Sequence, residues 1–366
     1  YNLVERDGDQ VNTLLSGYLR AEYKLNNFRF IAAARADKFE YPDKIIVSPL
    51  LTATYKMNEN VLFRASYGQA TRSPFMINLF TNLDMAYPIP NPDGVPSTYN
   101  TIYGAHYRGT EYQDKDYNLL NVEEAEVGTR FNVNSWLSFD LELFWSQMKN
   151  LDVFAKVARS TNIVPSSPTE GTAYISDTTS FVDIDITPQQ VGGTLSVFAN
   201  PLKNLDIQLY LTLQETQVKN YYDSTGYKTY YSGPTDDEFV FTGGSSAEVL
   251  DGSDPDSDKY RDFYHKATPT YFGGVNINYK PIPKLNVNVN SYFYGAQTFS
   301  IGQGNGQNVV EKVKSNILLN ATIGYEVRQN VTVFINGRNL IGGDQRQFAI
   351  TDKINTMVLA GINISM

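Results

Sequence analysis

The sequence is dominated by segments in which apolar and polar residues alternate strictly. In residues 205–214 the apolar set is Leu205, Ile207, Leu209, Leu211 and Leu213, and the residues between them are mostly polar. The same alternation runs through residues 285–294 and 316–327. Successive side chains of a strand point to opposite faces, so each segment has one apolar and one polar face. No 3.6-residue apolar stripe of helical length is present, and the chain is predicted to be nearly all-β.

The connections between these segments alternate in length. Short turns are predicted at 25–27, 57–60, 134–135, 200–204, 281–284 and 328–330, where Asn, Pro and Gly chemistry suits tight hairpins. The intervening connections are modest at 38–46 and 341–354. They are long at 73–119, 153–181 and 218–265, and rich in Tyr, Asp, Gly, Pro and Ser. Short turns at one end and long loops at the other are typical of a transmembrane β-barrel, with its turns in the periplasm and its loops outside the cell.

The length of the segments also favours a membrane barrel. They run for about 10–15 residues, whereas strands of soluble proteins usually have about 5–6. The apolar row is expected to face lipid and the polar row to line the lumen. The polar row includes Arg20, Glu22, Arg29, Arg35, Arg64, Glu124, Glu126, Arg130, Asp140 and Glu142. Aromatic residues near the strand ends fit interfacial girdles, although ordinary β-propensity explains each of them equally well.

Thirteen strands are predicted, at 11–25, 27–37, 46–57, 60–72, 120–133, 136–152, 182–200, 203–217, 266–280, 284–297, 314–328, 330–340 and 355–366. The first strand enters a short turn, so it begins at the outer surface, and the last strand ends in the periplasm. Single-chain bacterial barrels have even strand numbers. We therefore expect the preceding strands to lie outside this sequence.

Composition excludes several other classes of protein. The formal net charge of −9 argues against a nucleic-acid partner, which needs a basic surface. The absence of cysteine excludes a disulfide scaffold and a zinc–thiolate site. No run of 18 apolar residues is available for a transmembrane helix, and the stretch after Tyr1 does not have the pattern of a signal peptide.

Four segments resemble parts of the TonB-dependent outer-membrane receptors. Residues 61–75 (VLFRASYGQATRSPF) are similar to a strand of that family that ends in Arg-(Ala/Ser)-Pro before a long loop. Residues 121–131 (NVEEAEVGTRF) resemble the next strand with its Glu-x-Gly step. Residues 333–341 (VFINGRNLI) resemble the strand ending in Asn-Leu-Phe, and the last strand, 357–366, has the expected alternation. The abundant Tyr and Asn and the acidic loops resemble receptors of the Bacteroidota.

The resemblance implies a 22-stranded barrel closed by an N-terminal plug, of which this chain is the C-terminal part. It implies a place in the outer membrane of a Gram-negative bacterium, and partners that include the other strands, the plug, the TonB complex, lipid and, in some receptors, a surface lipoprotein. The chain itself contains no segment that resembles a plug or TonB box, and it ends in Met366 where the family usually has an aromatic residue.

No catalytic constellation emerges from the sequence, and the protein is predicted not to be an enzyme. His106 and His265 are the only histidines, no Gly-x-Ser-x-Gly elbow accompanies them, and they are interpreted as surface residues. The glycines of residues 302–306 lack the strand–helix setting and the lysine of a phosphate loop, so no organic cofactor is expected.

One loop holds a candidate for structural Ca²⁺. Asp251, Asp254, Asp256 and Asp258 place four carboxylates within eight residues, and calcium prefers such oxygen ligands. A solvated acidic loop explains the same pattern. Calcium titration, with protease sensitivity of the loop as readout, distinguishes the two.

Two loops are rich in tyrosine and are the candidate substrate-binding surface. Tyrosine offers a flat apolar face and a hydroxyl group at low entropic cost, which suits sugars, aromatic siderophores and peptides. Packing of the loops against one another is the alternative. The candidates are Tyr99, Tyr103 and Tyr107 in the first loop and Tyr221, Tyr222, Tyr230 and Tyr231 in the second.

The predicted function is active import of a scarce or bulky nutrient, such as a siderophore, glycan or peptide, with energy supplied through TonB. Two alternatives stay open. One is a passive porin, which needs no plug. The other is a soluble all-β binding module, which could be extracted from cells without detergent.

Overall fold

The computed structural model describes residues 11–73, 75–90, 95, 97–109, 118–167, 169–184, 187–219, 227–229, 247–249, 263–302, 308–341, 346–349 and 351–364. Thirteen long strands of this part of the chain form one antiparallel sheet. Their bounds are β1 Leu14–Leu25, β2 Phe28–Phe39, β3 Ile45–Lys56, β4 Val61–Thr71, β7 Asn121–Asn132, β8 Leu137–Lys149, β11 Thr187–Leu202, β12 Leu205–Lys219, β16 Tyr271–Tyr279, β17 Leu285–Tyr294, β20 Asn316–Arg328, β21 Val331–Arg338 and β22 Met357–Ile364. The strands lie side by side in this same order.

This main sheet confirms the all-β prediction and the thirteen predicted strands. The largest boundary errors are at β11, which begins at Thr187 and not at 182, and at β16, which begins at Tyr271 and not at 266. The alternation also fits residues 182–184, but those belong to β10 (Gly171–Ile184), a strand outside the main sheet.

The long connections carry further structure. β5 (Asn82–Ile89), β6 (Asn100–Arg108), β9 (Leu151–Pro165) and β10 form a second sheet, and the helix α1 (Met76–Phe80) precedes β5. The shorter pairs are β13 (Tyr227–Thr229) with β14 (Ala247–Val249) and β18 (Gln297–Gly302) with β19 (Asn308–Val313), while β15 (Phe263–Tyr264) joins β12. The long connections 73–119 and 153–181 therefore contain strands of their own.

The short turns form where they were predicted, for a local reason. Asn26, Lys284 and Asn330 adopt positive φ angles of 52°, 72° and 69°. Asparagine tolerates this conformation better than other residues with a side chain. At two further turns the side chains of Asn58 and Asn134 each accept hydrogen bonds from the backbone N–H groups two and three residues later.

The pairing register sorts the alternating residues into two continuous rows across the main sheet. One row is apolar and exposed: Leu15 and Leu19 of β1 are 74% and 76% exposed, and the row continues through Phe63, Val127, Leu143 and Leu213. Because large apolar side chains so exposed and so continuous need a covering, this face is built for contact with lipid.

The polar row carries the ten charged residues singled out from the sequence, and many of them form ion pairs. Arg29 donates to Glu22 through Nε at 2.9 Å, and Arg35 donates to Asp37 at 2.8 Å. A second cluster joins β4, β7 and β8, where Arg64 lies 2.7 Å from Glu142. The predicted separation of the rows is confirmed.

Among the described strands, β1 pairs only with β2 and β22 only with β21, so the main sheet is open at both edges. Within the same residues, no helix combines the length and the apolar character needed to cross a membrane.

Candidate functional site

Two of the long connections join to form the four-stranded sheet, which we call the loop sheet, with the order β5-β6-β10-β9. β5 and β6 come from the connection between β4 and β7, and β9 and β10 come from the connection between β8 and β11. β6 and β10 pair in parallel from Asn100–Thr172 to Arg108–Ser180. The loop sheet therefore ties together two connections that are distant in sequence.

A buried anchor fixes the end of the loop sheet that lies next to α1. The N–H of Gly109 donates to the carbonyl of Thr81 at 2.6 Å, and Ser180 Oγ donates to the carbonyl of Arg108 at 2.8 Å. A Cβ on Gly109 would overlap the backbone carbonyl of Leu79, which is completely buried. Only glycine allows the two backbones to approach this closely.

One face of the loop sheet carries the tyrosines. Tyr103 and Tyr107 of β6 lie on this face with Tyr87 of β5, and the rings of Tyr87 and Tyr103 lie 5.4 Å apart at 53°. The Tyr103 hydroxyl donates to Asp177 Oδ2 at 2.6 Å, across the β6–β10 junction. Because Asp177 is only 1% exposed, this buried hydrogen bond holds the two connections in register.

The opposite face of the loop sheet carries a charged cluster around Asp84. His106 Nδ1 and Arg108 Nη2 each lie 2.6 Å from Asp84 Oδ1. Partial burial raises the pKa of Asp84, but the hydrogen bonds from His106 and Arg108 outweigh it and bring that pKa below its ordinary value. His106, interpreted from the sequence as a surface histidine, is therefore held by a hydrogen bond to a carboxylate on the neighbouring strand.

The Asp84 cluster predicts a loss of loop-sheet stability in acid. Because the folded-state pKa is lowered, the stabilisation is complete above the unfolded value of about 4 and is lost as the pH falls through the folded value. Hydrogen exchange of β5 and β6, corrected for intrinsic rates, should rise below about pH 4. Asp84→Asn should remove most of this dependence, and an identical acid response in that variant would contradict the assignment.

The structure brings together only some of the predicted binding residues. Tyr103 and Tyr107 share a face, whereas the Tyr99 ring lies against Gly171 at the end of the loop sheet, which is a packing role. Tyr221, Tyr222, Tyr230 and Tyr231 lie outside the described residues, as do Asp251, Asp254, Asp256 and Asp258. Within the part of the chain that is described, His, Cys, Asp and Glu side chains form no group of three suited to a metal ion.

Sequence reasoning missed Asp84, Arg108 and Asp177. Tyr103 and Asp177 are 74 residues apart in the chain, and only the parallel pairing of β6 with β10 places them together. The sequence did carry a signal for the strand that presents the tyrosines: Tyr99, Tyr103 and Tyr107 are spaced four residues apart, and residues at even spacings lie on one face of a strand.

The family model of the TonB dependent receptor-like β-barrel matches residues 2–340. The chain belongs to the TonB-dependent receptor β-barrel family. No curated protein matches the sequence. The family assigns the main sheet to a barrel wall in the outer membrane of Gram-negative bacteria, so the apolar row faces lipid and the polar row faces the lumen. Members of this family are receptors and transporters, not enzymes.

Solved structures of outer-membrane receptors share the fold. The siderophore receptor PirA from Acinetobacter baumannii is 16% identical with a TM-score of 0.67, and the match covers 97% of this chain and 46% of that one. The FrpB iron transporter from Neisseria meningitidis (F3-3 variant) is 12% identical with a TM-score of 0.57, covering 96% and 45%. The outer membrane transporter YddB from Escherichia coli is 12% identical with a TM-score of 0.59, covering 96% and 44%. The chain thus spans less than half the length of these three receptors.

Proposed function

We propose that the chain is the C-terminal part of a 22-stranded receptor barrel that captures a nutrient outside the cell and imports it with TonB-derived energy. The observation that carries the proposal is the loop sheet. It joins two outer connections into one tyrosine-bearing surface at the loop end of a receptor-family barrel. A surface fixed by pairing across 74 residues loses little entropy when a ligand binds.

The proposal includes several partners. The remaining strands and the plug would come from sequence outside these residues, and the TonB complex would act on the plug. Outer-membrane lipid would cover the apolar row. A surface lipoprotein over the outer loops, and an origin in the Bacteroidota, are proposed from the tyrosine-rich and asparagine-rich loops alone. Copurification of the intact receptor from its native membrane, with sequencing of every associated chain, tests both.

The substrate class is proposed to be a siderophore, glycan or peptide. Two of the structural relatives are by name a siderophore receptor and an iron transporter, which supports a siderophore first. Uptake of a labelled ferric siderophore, an oligosaccharide and a peptide should be measured in cells with and without a protonophore. Active import stops when the proton gradient collapses, whereas uptake that continues unchanged would favour a passive porin.

The tyrosine loop at 218–265 gives a further prediction. Replacing Tyr221, Tyr222, Tyr230 and Tyr231 together with alanine should weaken binding of the imported probe at least about tenfold, since each aromatic contact contributes about 0.5–1.5 kcal/mol. Affinity is measured on the intact receptor in detergent. Tyr23→Ala, on the lipid-facing row, is the control. Unchanged affinity in the fourfold variant would mean that these rings only pack the loops.

A further inference from the structure

The barrel wall has a seam at its outer end, between β3 and β4. The ladder joining these strands stops at the pair Leu50–Gly68, although β3 continues to pair with β2 as far as Ile45. Pro49, the next residue of β3, has no N–H to donate. From Pro49 to Ile45, toward the outer end of β3, the ladder that joins β3 to β4 is therefore absent. This leaves a gap in the barrel wall between the two strands.

A cleft of about 390 Å³ lies along this seam. Its apolar side includes Ile46 and Leu119, which pack with Phe39. Its polar side is lined by Lys44, Gln69, Asn118, Asn121, Glu123 and Lys149. The volume lies within the range of about 300–1,000 Å³ that is usual for small-molecule sites.

The polar side contains a buried acceptor that the protein leaves unpaired. Asn121 is 7% exposed, and its Nδ2 donates to Thr71 Oγ1 at 3.1 Å. Its Oδ1 is buried and has no hydrogen-bond partner among the described residues. An unpaired buried carbonyl costs about 1–3 kcal/mol, so a ligand in the cleft that donated a hydrogen bond to Asn121 Oδ1, once the side chain turned toward it, would recover that cost.

The neighbouring charges restrict the chemistry of that ligand. Glu123 accepts hydrogen bonds from Lys149 at 2.9 Å and from Gln147 at 2.6 Å. A simple anion would meet the Glu123 carboxylate and could not donate to Asn121, and a cation would meet Lys149. Hydroxyl groups both donate and accept, so they satisfy Asn121 Oδ1, the Gln69 amide and the remaining N–H groups of Lys149 together.

The position of the cleft shows from which side the ligand arrives. Gln69, Thr71, Asn121 and Glu123 continue the apolar row of β4 and β7, directly beyond the pair Tyr67–Ala125. They lie on the lipid side of the wall, above the apolar belt, and not on the lumen side. In the membrane orientation of the family, this level meets the polar headgroup region of the outer leaflet.

We propose that the cleft between β3 and β4 binds a saccharide at the outer membrane surface, separately from the imported nutrient. The sugar hydroxyls pair with Asn121, Gln69 and Lys149, and its apolar ring face packs against Leu119 and Ile45. The proposal rests on the membrane orientation of the family and is independent of which nutrient the receptor imports.

The experiment uses the intact receptor and two probes. In one arm, binding of N,N′-diacetylchitobiose to the detergent-solubilised receptor is measured by calorimetry. In the other arm, the receptor is placed in nanodiscs with or without lipopolysaccharide, and retained lipopolysaccharide is quantified by mass spectrometry after washing. Binding in both arms supports a saccharide site open to free sugar, and binding in nanodiscs alone supports the headgroup of a glycolipid.

Two variants locate the binding. Asn121→Leu should lower sugar binding at least tenfold, and Gln69→Ala, which breaks no hydrogen bond within the described residues, should lower it several-fold. Glu215→Ala, on the same row of β12 outside the cleft, should change nothing. A heat-modifiable band on SDS gels checks that each variant folds, and nutrient uptake is recorded separately. Absence of binding in both arms, or binding that survives both cleft variants, would overturn the proposal.

Discussion

Asp140→Ala is expected to destabilise the barrel by about 2–3 kcal/mol, because it leaves two arginines without their shared partner. Arg64 donates to Asp140 through Nη1 at 3.1 Å and Nη2 at 2.7 Å, and Arg130 donates through Nε at 2.8 Å. Asp140 is 8% exposed, so its carboxylate is lost from a mostly buried position. Glu142, 2.7 Å from Arg64, retains part of the interaction, which keeps the expected loss below that of a fully buried pair.

The measurement is urea unfolding of the intact receptor in detergent, followed by tryptophan fluorescence, to which Trp145 contributes from the same strand as Asp140. Asp206→Ala is the matched control, since Asp206 is on the same lumen-facing row but exposed near the turn end. It should change the unfolding free energy by less than about 0.5 kcal/mol. If Asp140→Ala changed the unfolding free energy as little as the control does, water would solvate Arg64 and Arg130 as well as the Asp140 carboxylate does, and the prediction would be wrong.

The cluster around Asp140 also explains in physical terms a motif that was noticed in the sequence only as a family resemblance. The Arg64 guanidinium lies across Gly128, where an added Cβ would be 2.8 Å from Arg64 Cζ. Glycine in the Glu-x-Gly step therefore makes room for the arginine that reaches Asp140. Similarly, Asn339 of the Asn-Leu step has a φ of 51°, its N–H donates to Asn320 Oδ1, and its Nδ2 donates to the carbonyl of Ile354.

The main sheet was predictable because its determinants are local. A period of two fixes the faces of each strand, and the turn asparagines fix where neighbours meet, so the thirteen-strand order follows from sequence adjacency. The loop sheet was not predictable in this way. Its β6–β10 pairing is parallel and joins separate connections, and nothing in the sequences of β9 and β10 shows which strand each of them pairs with.

The same difference separates the two parts of the candidate site. Tyr103 and Tyr107 were found because tyrosine is distinctive as a residue type and the two are close in sequence. Asp177 was not found, since a single aspartate in a polar segment carries no signal until the fold buries it. Asn121 lies inside a motif that resembles the family's, yet its unpaired Oδ1 is evident only in the tertiary structure, where the side chain is buried and its Nδ2 donates to Thr71.

Gly109→Ala is expected to loosen the loop sheet while leaving the barrel intact. The new Cβ overlaps the backbone carbonyl of Leu79, and backbone atoms cannot move aside as a flexible side chain can. Overpacking of this kind costs about 1–3 kcal/mol. It would push apart the backbones that are joined by the hydrogen bond between Gly109 and Thr81. We expect faster hydrogen exchange in β5, β6 and β10 and weaker nutrient binding, with the urea midpoint of the barrel unchanged.

Gly17→Ala is the matched control for this prediction, because nothing lies within 4 Å of the position that its new methyl group would take on the lipid-facing row of β1. It should leave both exchange and binding unchanged. A Gly109→Ala receptor that exchanges faster in the loop sheet but binds its nutrient normally would separate the loop sheet from capture. The binding surface would then have to lie on the other outer connections, beginning with the tyrosines of residues 218–265. If the variant lost both the slow exchange of the loop sheet and the affinity for the nutrient, nutrient binding would depend on the β6–β10 junction, which the hydrogen bond between Tyr103 and Asp177 bridges.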